Sequence, residues 1–182
     1  MLNPRRSARG FTLIEIMVSL AVLGILLMVA LPNFSEWLHN QQLRAASEAT
    51  LNGLQAARGA AIRRNVLVQF QQTSPTQSAW AVTEVGTGLL VQSRAHEEGS
   101  PNARVDAAPA GATTVTYAPL GSVVANADGS PTVTKFDVSN PAGGSCQPGG
   151  PMRCLRVTIS GGGSLRMCDP TSTLPANDPR AC

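Results

Sequence analysis

The chain predicts an α+β protein in which a long N-terminal helix, half apolar and half amphipathic, packs on an antiparallel β-sheet domain that ends in a disulfide-bonded tail. Three observations carry this reading. From Phe11 to Leu31 every residue is apolar or small except Glu15. From Leu43 to Ala61 apolar and small residues recur at three- and four-residue steps. After Asn65 the period changes from helical to alternating, and all four cysteines fall within residues 146–182.

At ~1.5 Å rise per residue, the 11–31 run covers ~30 Å, the thickness of a bilayer's hydrocarbon layer. It reads as a transmembrane helix. A carboxylate in such a helix costs on the order of 2.5–3.5 kcal/mol near the centre and less toward the end, where Glu15 lies, so Glu15 calls for a positive partner. Arg5, Arg6 and Arg9 precede the run and, by the positive-inside rule, hold its start in the cytoplasm, which makes everything past Leu31 extracytoplasmic. The alternative is a secretory signal cut after the small-x-small site Ser19-Leu20-Ala21. The apolar run continues well beyond that site, and a signal has no use for Glu15.

Pro32 removes a backbone hydrogen bond and clashes with the carbonyl of Met28, so a kink is expected there before helical patterning resumes. Leu43, Ala46, Thr50, Leu54, Ala57 and Ala61 form one stripe, while Gln41, Arg44, Glu48, Asn52 and Arg58 point elsewhere. Because the stripe is rich in alanine, its partner must come close, which suits a sheet. The helix should end at Arg63-Arg64, with Asn65 as a left-handed cap.

Seven short alternating segments follow: 66–72, 79–85, 89–94, 113–117, 132–138, 154–160 and 164–168. Gly, Pro, Asn and Ser separate them, as strands of an antiparallel sheet require. Gly161-Gly162-Gly163 should turn the last hairpin. Phe70, Trp80 and Phe136 lie within strands and read as core. Residues 95–112 and 139–151 read as loops.

Cys146, Cys154, Cys168 and Cys182 lack the close pair that zinc sites use, so two disulfides in an oxidising compartment are expected and no metal or other cofactor. The preferred pairing closes two local loops, Cys146 with Cys154 and Cys168 with Cys182. The rival joins Cys154 to Cys168 across the last hairpin, leaving Cys146 with Cys182. No catalytic constellation is present. The only histidines, His39 and His96, read as solvated surface, and no nucleophile elbow, phosphate loop or metalloprotease motif occurs.

Arg9-Gly10-Phe11-Thr12-Leu13-Ile14-Glu15, ahead of an apolar helix, resembles the type IV prepilin signature. Residues 51–68, reading Leu-Asn-Gly-Leu-Gln-Ala-Ala-Arg-Gly-Ala-Ala-Ile-Arg-Arg-Asn-Val-Leu-Val, resemble the helix-to-strand junction of the GspH/FimT family. The resemblance implies a type IV pilin-like fold. It also implies a prepilin peptidase that cuts between Gly10 and Phe11 and methylates the new amino group of Phe11. That amine on a neighbouring helix would be the cation for Glu15 during filament assembly, a pairing that sets register more than it adds stability.

The domain organisation that follows is a cleaved leader 1–10, a transmembrane helix 11–31, an amphipathic helix 32–65 and a periplasmic β-rich domain 66–182. Of the chain's fourteen basic residues the leader holds three, so eleven remain against eleven acidic ones, and the mature protein is formally neutral. The basic balance is therefore a topology signal. The implied partners are the peptidase, other major and minor pilins or pseudopilins, and the inner membrane.

The implied role is a minor pilin that initiates or caps a type IV pilus. The first alternative is pseudopilin H of a type II secretion system. The second is a minor pilin that binds DNA for uptake, since some FimT-like members carry Gly-Arg-x-Arg near the C-terminus. Here the turn reads Gly163-Ser164-Leu165-Arg166, without the first arginine. Arg153, Arg156, Arg166 and Arg180 would bind phosphates if a folded-back tail brought them together. The tail from Arg166 to Cys182 resembles the cysteine-bearing tails of FimT-like minor pilins.

Overall fold

The computed structural model describes residues 10–175 and 177–182, apart from the side chains of Val29, Ala30, Pro32 and Asn33. The leader arginines Arg5, Arg6 and Arg9 lie outside the described residues, and so does the side chain of Pro32, where the kink is expected. The chain forms two compact units, Met1–Ser35 and Glu36–Cys182.

Helix α1 runs over Leu13–Arg64 and ends where the sequence places its stop, with Arg63 and Arg64 in the last turn and Asn65 at φ 55°. All six residues of the predicted stripe are buried. In the middle of the helix, Gly53 is what lets two aromatic rings approach, because a Cβ there would lie 2.8 Å from the Phe70 ring and 2.9 Å from the Trp80 ring.

Ten strands follow: β1 Val68–Gln72, β2 Thr76–Gln77, β3 Trp80–Glu84, β4 Leu90–Arg94, β5 Arg104–Ala108, β6 Thr114–Tyr117, β7 Val123–Val124, β8 Lys135–Ser139, β9 Leu155–Ile159 and β10 Leu165–Cys168. They form two five-stranded antiparallel sheets where the sequence suggested one, in the orders β4-β3-β1-β6-β7 and β10-β9-β8-β5-β2. Phe70 of the first sheet meets Phe136 of the second edge-on at 5.7 Å and Trp80 at 5.5 Å, so both sheets share one core with α1. The buried amide of Gln72 ties them further, donating to the carbonyls of Gln77 and Val105 at 2.9 and 2.8 Å.

Residues 95–112 are not all loop, because they contain β5. Its sequence, Arg-Val-Asp-Ala-Ala, has a single branched apolar residue and little β propensity. It becomes a strand through its pairing with β8, which sets Val105 opposite Val138 and Ala107 opposite Phe136. One other expectation shifts, and two strands were not foreseen. The segment expected over 132–138 is a strand only from Lys135 and runs on to Ser139 as β8, with Thr132 reduced to a bridge with Thr114, and the short strands β2 and β7 carry too few residues to show a period. Between Ser160 and Ser164 the three glycines make the expected turn, with the Gly163 amide donating to the Ser160 carbonyl at 2.8 Å.

Candidate functional site

The helix start is built by a reciprocal pair. The Glu15 backbone amide donates to Thr12 Oγ1 at 3.2 Å, and the Thr12 amide donates to Glu15 Oε2 at 3.5 Å. This is a capping box, which satisfies two amides that a helix leaves open at its first turn. Glu15 therefore has a role within its own chain besides the expected pairing with a neighbour's amine, and Thr-x-x-Glu ahead of an apolar run is a readable signal of it. Among the described residues no cation lies within ion-pair distance of Glu15. Just before the cap, Phe11 is exposed and nothing crowds Gly10, so the Gly10–Phe11 bond lies outside the helix. Among the described residues no helix is long and apolar enough to cross a membrane. The expected 11–31 span takes in positions whose side chains are not described.

At the other end of the chain the structure joins Cys146 to Cys154 and Cys168 to Cys182, with Cα separations of 5.4 and 5.1 Å. The first bridge closes the loop that packs beside α1, where the Arg153 amide donates to Asn40 Oδ1 at 2.9 Å and Met152 is fully buried. The second folds the tail back onto β10, with Asp169 bridging to Ala181.

The four arginines proposed to converge do not form one open cluster. Arg156 on β9 is paired with Asp137 of β8 at 2.5 Å. Arg166 on β10 donates to the carbonyls of Pro179 and Ala181 at 3.0 and 2.7 Å. Arg180 pairs with Asp178 at 2.8 Å, and this guanidinium, with the Arg180 amide, holds the Asp178 carboxyl down at about 2. Arg153 stands apart, beside Asn40 of α1. Arg156 and Arg166 share the outer face of their sheet with Lys135, Asp137, Arg104 and Asp106. There Arg104 pairs with Asp106 at 2.8 Å and Lys135 with Asp137 at 3.6 Å. These six side chains set four cations against two carboxylates, a formal net of +2, with Asp137 shared by Arg156 and Lys135 and Arg166 held by tail carbonyls.

The histidines are less solvated than expected. Both are half-buried: His39 lies against the fully buried Asn140, whose amide donates to the His39 carbonyl at 3.1 Å, and the His96 carbonyl accepts from Ser78 at 3.3 Å. Among the described residues no group of His, Cys, Asp and Glu side chains could hold a metal ion.

Known proteins resemble the chain in two ways. The prokaryotic N-terminal methylation motif matches residues 5–31, and the family described as Type II transport protein GspH matches residues 46–163. No sequence match was found among curated proteins. Among solved structures, the type IV minor pilin FimU of Pseudomonas aeruginosa PAO1 aligns in one crystal form with a TM-score of 0.53 and 18% identity over 74% of this chain and 92% of FimU. A second crystal form of FimU gives 0.52 and 18% over 73% and 97%. At that identity the likeness carries the fold alone, and the fold is that of a type IV pilin. Because the GspH match spans more than half of the chain and follows a methylation motif, this protein belongs to the GspH family of pilin-type structural subunits, which are not enzymes.

Proposed function

We propose that this chain is a minor pilin of a type IV pilus, held in the inner membrane by the 11–31 helix with its globular unit outside the cytoplasm, and then incorporated at or near the filament tip. The supporting observation is the helix start. A capping box presents an uncrowded Gly10–Phe11 bond to a prepilin peptidase and fixes Glu15 one turn from the amine that cleavage would create. Two helices packed with a small stagger would then bring Glu15 of one to Phe11 of the other. In low dielectric such a pair is far stronger than in water, while burying both ions is costly, so it favours one register.

The tail closed by Cys168–Cys182 favours a pilus over the pseudopilin reading, being the feature shared with FimT-like minor pilins. The DNA-uptake reading is the weaker one, because Arg156, Arg166 and Arg180 would have to leave intramolecular partners to reach phosphates.

Deletion of the gene tests the proposal. Loss of surface pili, restored by the wild-type chain, is the expected outcome. Intact pili with secreted proteins retained in the periplasm would replace the pilus reading with the secretion one. Mass measurement of the membrane-bound chain should find an N-methylated Phe11 as its first residue, and Gly10→Val should retain the leader.

A further inference from the structure

Beyond Leu38, the exposed large hydrophobic side chains among the described residues are Ile62, Leu67, Leu89, Leu90 and Leu120. The topology gathers all five at one end of the first sheet, where α1 stops. Leu67 precedes β1, and its carbonyl accepts from the Val85 amide at 2.9 Å. Leu89 and Leu90 stand across the same hairpin, where the Leu89 carbonyl accepts from the Glu84 amide at 3.0 Å. The register sets Val68 opposite both Glu84 and Tyr117, and the turn after Tyr117 carries Leu120, 91% exposed, and Gly121, which lies against Ile62. Scattered exposed aliphatics are ordinary, but five from four separate segments at one pole mark an interaction surface.

Charge says what covers it. Arg63 is exposed at this end, its guanidinium lying over Gly59, and Arg58 donates through Nε to the Gly121 carbonyl at 3.0 Å. Neither forms an ion pair among the described residues. The one carboxylate shown here, Glu84, is already neutralised by Arg64 at 2.6 Å. Beside the aliphatics, an open groove of about 380 Å³ is lined by Gln55, Arg58, Gly59, Ile62, Ser164 and Leu165. An apolar centre with a cationic rim and a side-chain-sized groove fits a protein surface of aliphatic residues flanked by carboxylates. A second copy of this chain would bring cation against cation.

We propose that this pole is the surface through which the chain meets a different filament subunit, one that presents aliphatic side chains rimmed by carboxylates. The inference rests on the filament-subunit reading. It is tested with the full-length chain in its own cells, carrying a photoreactive benzoylphenylalanine at Leu120 or, as a control, at Gln147 in the Cys146–Cys154 loop. The expected result is a crosslink from position 120, absent from 147, to another subunit bearing a prepilin motif, identified by peptide mass. In the chain without the probe, Leu120→Asp and Arg63→Glu should each lower incorporation into filaments about tenfold, as loss of an interface anchor does, while Arg63→Lys largely keeps it. Leu120→Asp and Arg63→Glu should retain their disulfides and thermal stability, since both sites are exposed. A crosslink to a second copy of the chain, or full incorporation of both Leu120→Asp and Arg63→Glu, would overturn the proposal and leave the filament reading standing. A wild-type chain that never enters filaments would remove both.

Discussion

Arg166 holds the chain's own tail, donating through its guanidinium to the carbonyl oxygen of Ala181 at 2.7 Å. The same group reaches the carbonyl of Pro179 at 3.0 Å, next to the Cys168–Cys182 bridge. Arg166→Ala should therefore act on stability and tail order before it acts on any ligand. A loss of about 1 kcal/mol is expected, below the roughly 1.5–3 kcal/mol of hydrogen bonds involving a charged group because the site is exposed. Hydrogen exchange should quicken in residues 169–182 with both disulfides intact. Binding of duplex DNA that falls steeply with salt and disappears in Arg166→Ala, with tail exchange unchanged, would instead assign this arginine to phosphates.

Glu15 carries two separable roles, one in the cap of its own helix and one proposed between helices. Glu15→Gln keeps an oxygen that accepts from the Thr12 amide and removes the charge, whereas Glu15→Val removes both. If charge pairing with a neighbour's Phe11 amine governs assembly, both variants should be cleaved and membrane-bound yet poorly incorporated into filaments. Normal incorporation of Glu15→Gln alone would reduce Glu15 to a capping residue.

Gly163 is the tightest point of the last hairpin. It sits at φ +78°, and a Cβ there would overlap the Gly121 carbonyl oxygen and come within 3.1 Å of Arg58 Nε. Gly163→Ala should cost about 2–4 kcal/mol, combining left-handed strain with displacement of the neighbouring turn. Gly161→Ala, where nothing lies within 4 Å, should change stability by less than about 0.5 kcal/mol. Thermal unfolding of the two variants side by side checks this.

The Asp178–Arg180 pair has a defined pH signature. The Asp178 carboxyl is held at about 2, first by the Arg180 side chain and then by its amide. Because the folded value is depressed, this contribution to stability is complete above the ordinary carboxylate pKa of ~3.9 and is lost as pH falls toward 2. No change from this pair is expected between about pH 5 and 8. Carboxyl NMR titration should show Asp178 moving up toward the ordinary value in Arg180→Ala, and an unmoved titration would remove the pairing from the account.

The sequence alone determined the elements whose cause is local. A buried helix face repeats every three to four residues, so the stripe from Leu43 to Ala61 was legible, as were the Arg63-Arg64-Asn65 stop and the aromatic core of Phe70, Trp80 and Phe136. The prepilin signature is likewise a contiguous string of residues, borne out by the methylation-motif match, and the GspH match bears out the family that residues 51–68 indicated. Only the tertiary structure decided what depends on residues distant in the chain. The split into two sheets and the existence of β5 follow from pairing with β8, more than two dozen residues away, where a single Val105 is enough because Val138 and Phe136 already face the core. The partners of Arg156, Arg166 and Arg180, and the meeting of Ile62, Leu90 and Leu120 at one pole, are of the same kind. Periodicity records which side of an element is buried. Which element lies on that side, and which charge lies across the strand, is settled only when all of them compete for the same core and the same hydrogen bonds.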